Sequence, residues 1–313
     1  MSSATWMSGE RHALLIGCGT FEDPSIPPLP GALQDVENLK GVLEEDARGG
    51  FASVEVLRDP TLSRMQRAIA ALHHGRRKDD LVLFYFAGHG RLDTESDQFY
   101  FVTHDSEALH LAATAVPRAF LHGAMGRSGA RRQAVILDCC HAAAALPDTR
   151  KVPPGVACDA ATFHVEGYGT EFLAATDKLL LAHEDAGVGL FTAALVEGLR
   201  GAAGPGDATA ITLRDLDAYV RRALRFRIQD PKKAMRPVYG CHAEVSFPIV
   251  AKTPTVLPLP SELVSELTAA SPYARLGALE ALAALVDGEP RHRAAALDLL
   301  RPRLDHDGEV HFL

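Results

Sequence analysis

Two uninterrupted apolar runs constrain this chain more than anything else in it. Leu81-Val82-Leu83-Phe84-Tyr85-Phe86 and Ala134-Val135-Ile136-Leu137 contain no charged or amide side chain. A strand with one face in water alternates apolar and polar residues. A strand without alternation is buried on both faces, as happens in a parallel sheet covered by helices. Each run then ends on reactive side chains. The first is followed by Ala87-Gly88-His89-Gly90, the second by Asp138-Cys139-Cys140-His141. The carboxyl ends of parallel strands are where open α/β sheets carry their chemistry. If the two strands are neighbours, an imidazole and a thiol meet at one sheet edge, the pairing of a base with a cysteine nucleophile.

The remaining sequence supplies the other parts of such a sheet. Residues 12–16 read as a short strand ended by Gly17-Cys18-Gly19. No third glycine and no Gly-Lys-Ser follows, so these glycines do not make a phosphate loop. After a proline-rich loop to Pro30, Ala32, Val36, Leu39, Val42 and Leu43 recur at helical spacing through Glu45. A strand over 54–57 and a helix over 61–74, with Met65, Ile69 and Leu72 on one face, come next. The polar segment 91–106 encloses a hairpin strand at 99–102, and a helix is expected over 116–125. Segment 142–169 is small and irregular, with Pro147, Pro153, Pro154 and Gly155. A loop of that length inside a compact domain is expected to be functional or mobile. A strand over 171–175, helices over 191–199 and 213–226, and a short sixth strand over 236–239 complete an α/β domain with a mostly parallel sheet and helices on both faces.

Beyond it, 252–260 holds three prolines and reads as a linker. Two helical patterns follow, 273–286 and 291–304, which together look like one HEAT-type hairpin. One such unit cannot bury its own apolar face, so it is expected to pack on the main domain, on a copy or on a protein partner. The expected organisation is a domain over 1–252, a linker over 253–260 and a helical extension over 261–313.

Composition excludes several classes. The 313 residues carry a formal net charge of -8, with no basic run, which argues against a nucleic-acid surface. Residues 1–12 lack the apolar core of a signal peptide, and no apolar run approaches a membrane span. The five cysteines, Cys18, Cys139, Cys140, Cys158 and Cys241, are few and odd in number. That fits free thiols in a reducing compartment, and a cytoplasmic location is expected. Cys139, Cys140 and His141 lack the spacing of a zinc site, and Cys241-His242 is isolated, so neither metal nor cofactor is expected.

Two adjacent cysteines compete for the nucleophile's role. Successive residues leaving a strand point to opposite sides. Asp138 and Cys140 therefore share a side, and Cys139 faces the other way. Cys140 is the expected nucleophile. Cys139 is expected to be a small buried hydrophobe, as most free cysteines are. A neighbouring imidazolium lowers a thiol's pKa by several units. His89 suits that role, because Gly88 and Gly90 let a substrate approach its backbone closely. An isolated histidine would be read as a core residue; beside a cysteine on a second strand end, the catalytic reading is the stronger. His141 is too close to Cys140 in sequence to be aimed at its sulfur, and is read as structural or substrate-facing.

Phe86-Ala87-Gly88-His89-Gly90, with Asp138-Cys139-Cys140-His141 ending a strand, resembles the caspase-like peptidases of clan CD, family C14, and most nearly the bacterial metacaspase-like (orthocaspase) branch. The 51 positions from His89 to Cys140 suit the gap of about 50 residues found in caspases. Ala13-Leu14-Leu15-Ile16-Gly17, Leu29-Pro30-Gly31-Ala32 with Asp35, and Gly189-Leu190-Phe191-Thr192 also match, so the resemblance covers about residues 11–250. The caspase Gln-Ala-Cys signature is absent, and Ala142-Ala143 replace the Ser-Gly usual in metacaspases. The resemblance implies a six-stranded sheet with an antiparallel sixth strand, and peptide hydrolysis through a thioester. Cys140 would attack, His89 would move protons, and the backbone N–H groups of Gly90 and Cys140 would hold the oxyanion. It further implies that Asp138, with Asp35, binds an Arg or Lys side chain of a protein or peptide substrate at the residue before the cut. Arg150-Lys151, in a proline-bounded stretch, is a candidate self-cleavage site. The competing expectation is a catalytically idle caspase-like scaffold that acts through its C-terminal helices. A flavodoxin-like nucleotide-binding module would need the phosphate loop that the chain lacks.

Overall fold

The computed structural model describes residues 9–45, 48–93, 98–139, 169–175, 184–185, 188–228, 237–241, 246–253, 257–269, 271–288 and 290–301. Cys140, His141 and the rest of 142–168, including Arg150, Lys151 and Cys158, lie outside them. The described residues of 1–204 and 210–251 form one compact unit, and those of 205–209 and 252–313 another.

In chain order the first unit contains β1 (Arg11–Gly17), α1 (Gly31–Leu43), β2 (Ser53–Arg58), α2 (Leu62–His73), β3 (Leu81–Gly88), β4 (Gly90–Asp93), β5 (Gln98–Phe101), α3 (Leu111–Thr114), β6 (Val116–Pro117), α4 (Arg118–Gly126), β7 (Arg132–Cys139), β8 (Gly169–Ala174), β9 (Glu184–Asp185), β10 (Val188–Gly189), α5 (Leu190–Glu197), β11 (Ala210–Thr212), α6 (Leu213–Arg227), β12 (Val238–Cys241) and β13 (Pro248–Ala251). Six strands form the central sheet in the order β12-β8-β7-β3-β1-β2. All pair in parallel except β12, which runs antiparallel to β8.

The lack of alternation in the apolar runs has the expected consequence: all eight residues of β3 are buried. Alternate residues feed two cores. Leu15, Leu83, Tyr85, Ile136 and Leu173 meet Val36 and Leu39 of α1, Phe191 and Leu195 of α5, and Leu216 and Val220 of α6. Leu14, Ile16, Phe84, Phe86, Val135 and Leu137 meet Met65 and Ile69 of α2 and Leu121 and Met125 of α4. Full burial of each such side chain is worth about 1.5–3 kcal/mol. That term decides the layering, and the individual hydrogen bonds only refine it.

The small sheet β4-β5-β6 lies beyond β3, with all pairs antiparallel. It corrects one expectation. Val116 and Pro117 are extended and pair with β5, and the helix starts only at Arg118. Proline disfavours helical backbone in the residue before it, which keeps Val116 extended. The antiparallel pair β11–β13 is a further element that the apolar pattern did not announce. α6 starts cleanly because Thr212 and Asp215 form a reciprocal capping box.

The second unit holds α7 (Ser261–Leu267), α8 (Pro272–Gly288), a 3₁₀ turn at Pro290–His292 and α9 (Arg293–Leu300). Leu267, Ala278, Leu282 and Ala296 form its core, with Leu259 and Leu263 packed against them. The Leu257 N–H donates to the Arg291 carbonyl at 2.9 Å. Thus α7 adds a third helix to the expected hairpin, and the proline-rich stretch before it packs on those helices.

Candidate active site

β3 and β7 are adjacent, and their register pairs Leu81 with Arg132 through to Gly88 with Cys139. The two strands therefore end at the same level of the sheet. A Cβ on Gly88 would lie 3.0 Å from Cys18 Cβ, so a larger residue at this exit would displace the neighbouring strand end. His89 comes next and is 3% exposed.

The His89 ring is held on two sides. Its Nε2 lies 2.8 Å from the Pro27 carbonyl oxygen, and Phe21 stacks at a tilt with ring centroids 5.2 Å apart. A carbonyl can only accept, so Nε2 carries the proton and Nδ1 is the basic nitrogen of the neutral ring. Burial lowers the His89 pKa below its ordinary value. The Pro27 bond opposes this, and the charge of Arg91 adds to it. Val102 N–H donates to the His89 carbonyl, which makes Gly90–Phe101 the pair that exchanges no ladder hydrogen bonds. The Gly90 N–H is therefore directed away from β5.

On the other face of β7, two carboxylates converge on the start of α5. Asp138 Oδ2 accepts from Thr192 Oγ1 at 2.7 Å. Asp35, 3% exposed on α1, accepts from the Gly189 N–H through Oδ1 at 3.1 Å. A Cβ on Gly189 would lie 2.9 Å from Asp35 Oδ2 and 3.1 Å from Asp138 Oδ2. Burial pushes the Asp138 pKa up to about 6, against the pull of its Thr192 bonds. The positive end of the α5 dipole eases the presence of two acids there. Among the described residues no ion pair involves Asp138. Cys139, by contrast, is buried with Leu137, Phe86 and α2 in the opposite core.

Of the residues expected to matter, His89, Gly90, Asp138 and Asp35 fall within the described structure. Asp138 of β7 and Asp35 of α1 come together beside Gly189, and His89 follows β3, the strand next to β7. Cys140 and the Arg150-Lys151 candidate lie outside it. Sequence reasoning missed the Pro27 carbonyl, Tyr85 and the role of Thr192. No motif marks a backbone carbonyl acceptor. Thr192 stood in a quoted match, but only tertiary pairing shows what it bonds.

Comparison with known proteins gives the family and the fold. The sequence profile described as "Caspase domain" matches residues 10–247. Over 101 residues the chain is 30% identical to Metacaspase-1 of Scheffersomyces stipitis, a stretch covering 29% of this chain and 25% of that protein. The chain thus spans about a quarter of the length of the curated relative it matches. Caspase-1 of Spodoptera frugiperda has a similar fold, with a TM-score of 0.53 and 16% identity over 78% of this chain and 91% of that one. A crystal structure of a Geobacter sulfurreducens protein gives a TM-score of 0.52 and 18% identity over 74% and 93%. Those identities speak for the fold alone. The profile match, by contrast, spans most of the chain and takes in both strand ends, so this protein belongs to the caspase-domain family.

Proposed function

We propose that the protein is a cysteine endopeptidase that cuts after arginine, and less readily after lysine. The observation that carries this reading is the register of β3 against β7. With Gly88 opposite Cys139, the residues that immediately precede His89 and Cys140 in sequence end neighbouring strands at one level. In the proposed reaction the Cys140 thiolate attacks the scissile carbonyl carbon, and the Gly90 and Cys140 N–H groups stabilise the oxyanion. His89 protonates the departing amine, leaving a thioester. It then takes a proton from water, which attacks the thioester and regenerates the thiol.

Specificity follows from charge. Two carboxylates border Gly189, and no cation is paired to Asp138 among the described residues. A partly buried carboxylate of this kind is costly without a counter-charge. A substrate guanidinium, with two donors for two acids, suits it better than an ammonium. The same preference makes Arg150 or Lys151 a site of self-cleavage. The C-terminal helices, which we take as an extension over 261–313, would serve a protein partner.

The test is a set of fluorogenic peptides that differ only in the residue before the cut. Turnover of the Arg peptide, slower turnover of the Lys peptide and none in Cys140→Ala is the expected result. Faster turnover of an Asp peptide would overturn the pocket assignment, and retained activity in Cys140→Ala would overturn the nucleophile.

A further inference from the structure

A buried hydrogen-bond chain reaches Asp138 from inside the core. Thr192 Oγ1 lies 2.7 Å from Asp138 Oδ2 and 2.6 Å from the Tyr85 hydroxyl. Both Thr192 and Tyr85 are fully buried. The proton order follows from chemistry. An ionised carboxylate only accepts, so the single Thr192 proton goes to Asp138. Thr192 Oγ1 must then accept from Tyr85, whose O–H is the remaining donor. Both distances are typical of strong O–H···O bonds. Tyr85 stays a donor throughout, because burial, with the charges of Asp35 and Asp138 adding to it, raises its pKa well above the ordinary value.

We infer that Thr192, backed by Tyr85, is the positioning residue for substrate recognition: it fixes the Asp138 carboxylate and keeps it ionised to meet the arginine. The inference rests on the reading of Asp138 as the acid that binds the residue before the cut. The placement favours it. Thr192 is in the first turn of α5, three residues after Gly189, so the element whose start bonds Asp35 also orients Asp138. Tyr85 is on β3 four positions before His89, which ties Asp138 to the strand that leads to the histidine. Thr192 holds the Asp138 carboxylate twice, through its hydroxyl on Oδ2 and through its backbone N–H. The groups facing Asp138 from neighbouring elements are Asp35 of α1, Tyr85 of β3 and Thr192 of α5. Asp35 would favour protonation of Asp138, and the Thr192 donor opposes it.

The test has two readouts on the full-length protein. The first is ¹³C NMR titration of the Asp carboxyl carbons, with the Asp138 signal identified by its absence in Asp138→Asn. Thr192→Val, which keeps the shape and removes the hydroxyl, should raise the Asp138 midpoint by about one pH unit, and Thr192→Ser should restore it. Tyr85→Phe should shift it in the same direction by less, and it carries the test if Thr192→Val does not fold. The second readout is kinetic. For an Arg peptide at pH 6.5, Thr192→Val should lower kcat/KM about tenfold, mostly through KM, as expected for loss of one hydrogen bond to a charged group. An unmoved midpoint in Thr192→Val overturns the inference. Wild-type protein that titrates as expected yet ignores arginine peptides overturns instead the reading of Asp138 as the recognition acid.

Discussion

Asp35 and Asp138, on different elements and far apart in sequence, border the same glycine: a methyl group on Gly189 would come within 2.9 Å of one carboxylate and 3.1 Å of the other. Gly189 has φ −63° and ψ 131°, an ordinary extended conformation that alanine also adopts. Its importance is therefore one of space and not of backbone strain. Gly189→Ala should fold normally while pushing the two acids apart. Misplacement of a positioning group by a fraction of an ångström to an ångström costs about ten- to a hundredfold. We expect kcat/KM on Arg peptides to fall in that range, with a much smaller change in labelling of Cys140 by a small thiol reagent. Equal losses in both assays would show that the methyl group disturbs the whole edge.

The two cysteines should separate cleanly. Cys139 sits in the core beside Leu137 and α2, where its sulfur is a packing atom. Cys139→Ala should keep most of the peptidase activity and lose about 1 kcal/mol of stability by denaturant titration. Cys140→Ala should abolish turnover at little cost in stability. Equal loss of activity from both changes, with the fold intact, would refute the assignment.

What the sequence made legible follows from which forces act locally. The unbroken apolar runs identified β3 and β7, because a strand buried on both faces gains from apolar side chains at every position. The period-two rule put Asp138 and Cys139 on opposite faces, and so they are: Asp138 bonds Thr192 of α5 while Cys139 packs in the core that α2 covers. Boundaries were less legible. β7 begins at Arg132, two residues before the apolar run, because ladder hydrogen bonds continue where burial does not. Val116 and Pro117 fit a helical period yet pair with β5. The site was legible as residue types, and its partners were not. The Pro27 carbonyl that sets the His89 tautomer and the Tyr85–Thr192–Asp138 chain arise from long-range packing, to which no local pattern points.

His73 offers a test of stability against pH. It is 3% exposed at the end of α2, and neither ring nitrogen has a partner among the described residues. Burial, with the charges of Arg76 and Arg127 adding to it, lowers its pKa from 6.5 to about 4. The unfolded chain therefore binds the extra proton between those values, and stability is lost as pH falls from 6.5 toward 4. The full effect is about 3 kcal/mol. Asp138 acts in the opposite sense: its folded pKa is raised from 3.8 to about 6, so its contribution grows as pH falls through that window. The difference between wild type and His73→Phe isolates the histidine. The variant should gain stability relative to wild type as pH drops from 7 to 4.5, in urea unfolding followed by circular dichroism. Parallel curves would mean that His73 is already solvated or paired.

The pH dependence of cleavage should carry the signature of Asp138. kcat/KM reports the ionisations of the free enzyme. A guanidinium is positive throughout the accessible range, so the two acids attract it only while they are charged. Asp138, pushed up to about 6 by burial, loses its charge as pH falls through that value. For an Arg peptide, kcat/KM should therefore decline below about pH 6, approaching tenfold per pH unit. His89 also titrates, with a pKa below its ordinary value, and its protonation affects the Cys140 thiol as well. Labelling of Cys140 by a small neutral thiol reagent separates the two, since it senses the histidine and needs no arginine. The limb near pH 6 should be present in peptide cleavage and absent from labelling. In Asp138→Asn it should vanish from the residual cleavage, and turnover of the Arg peptide at pH 7.5 should be lower by about a hundredfold, the loss of one charge-assisted contact to a guanidinium. A limb that survives Asp138→Asn unchanged would assign the titration to another group and remove Asp138 from arginine recognition.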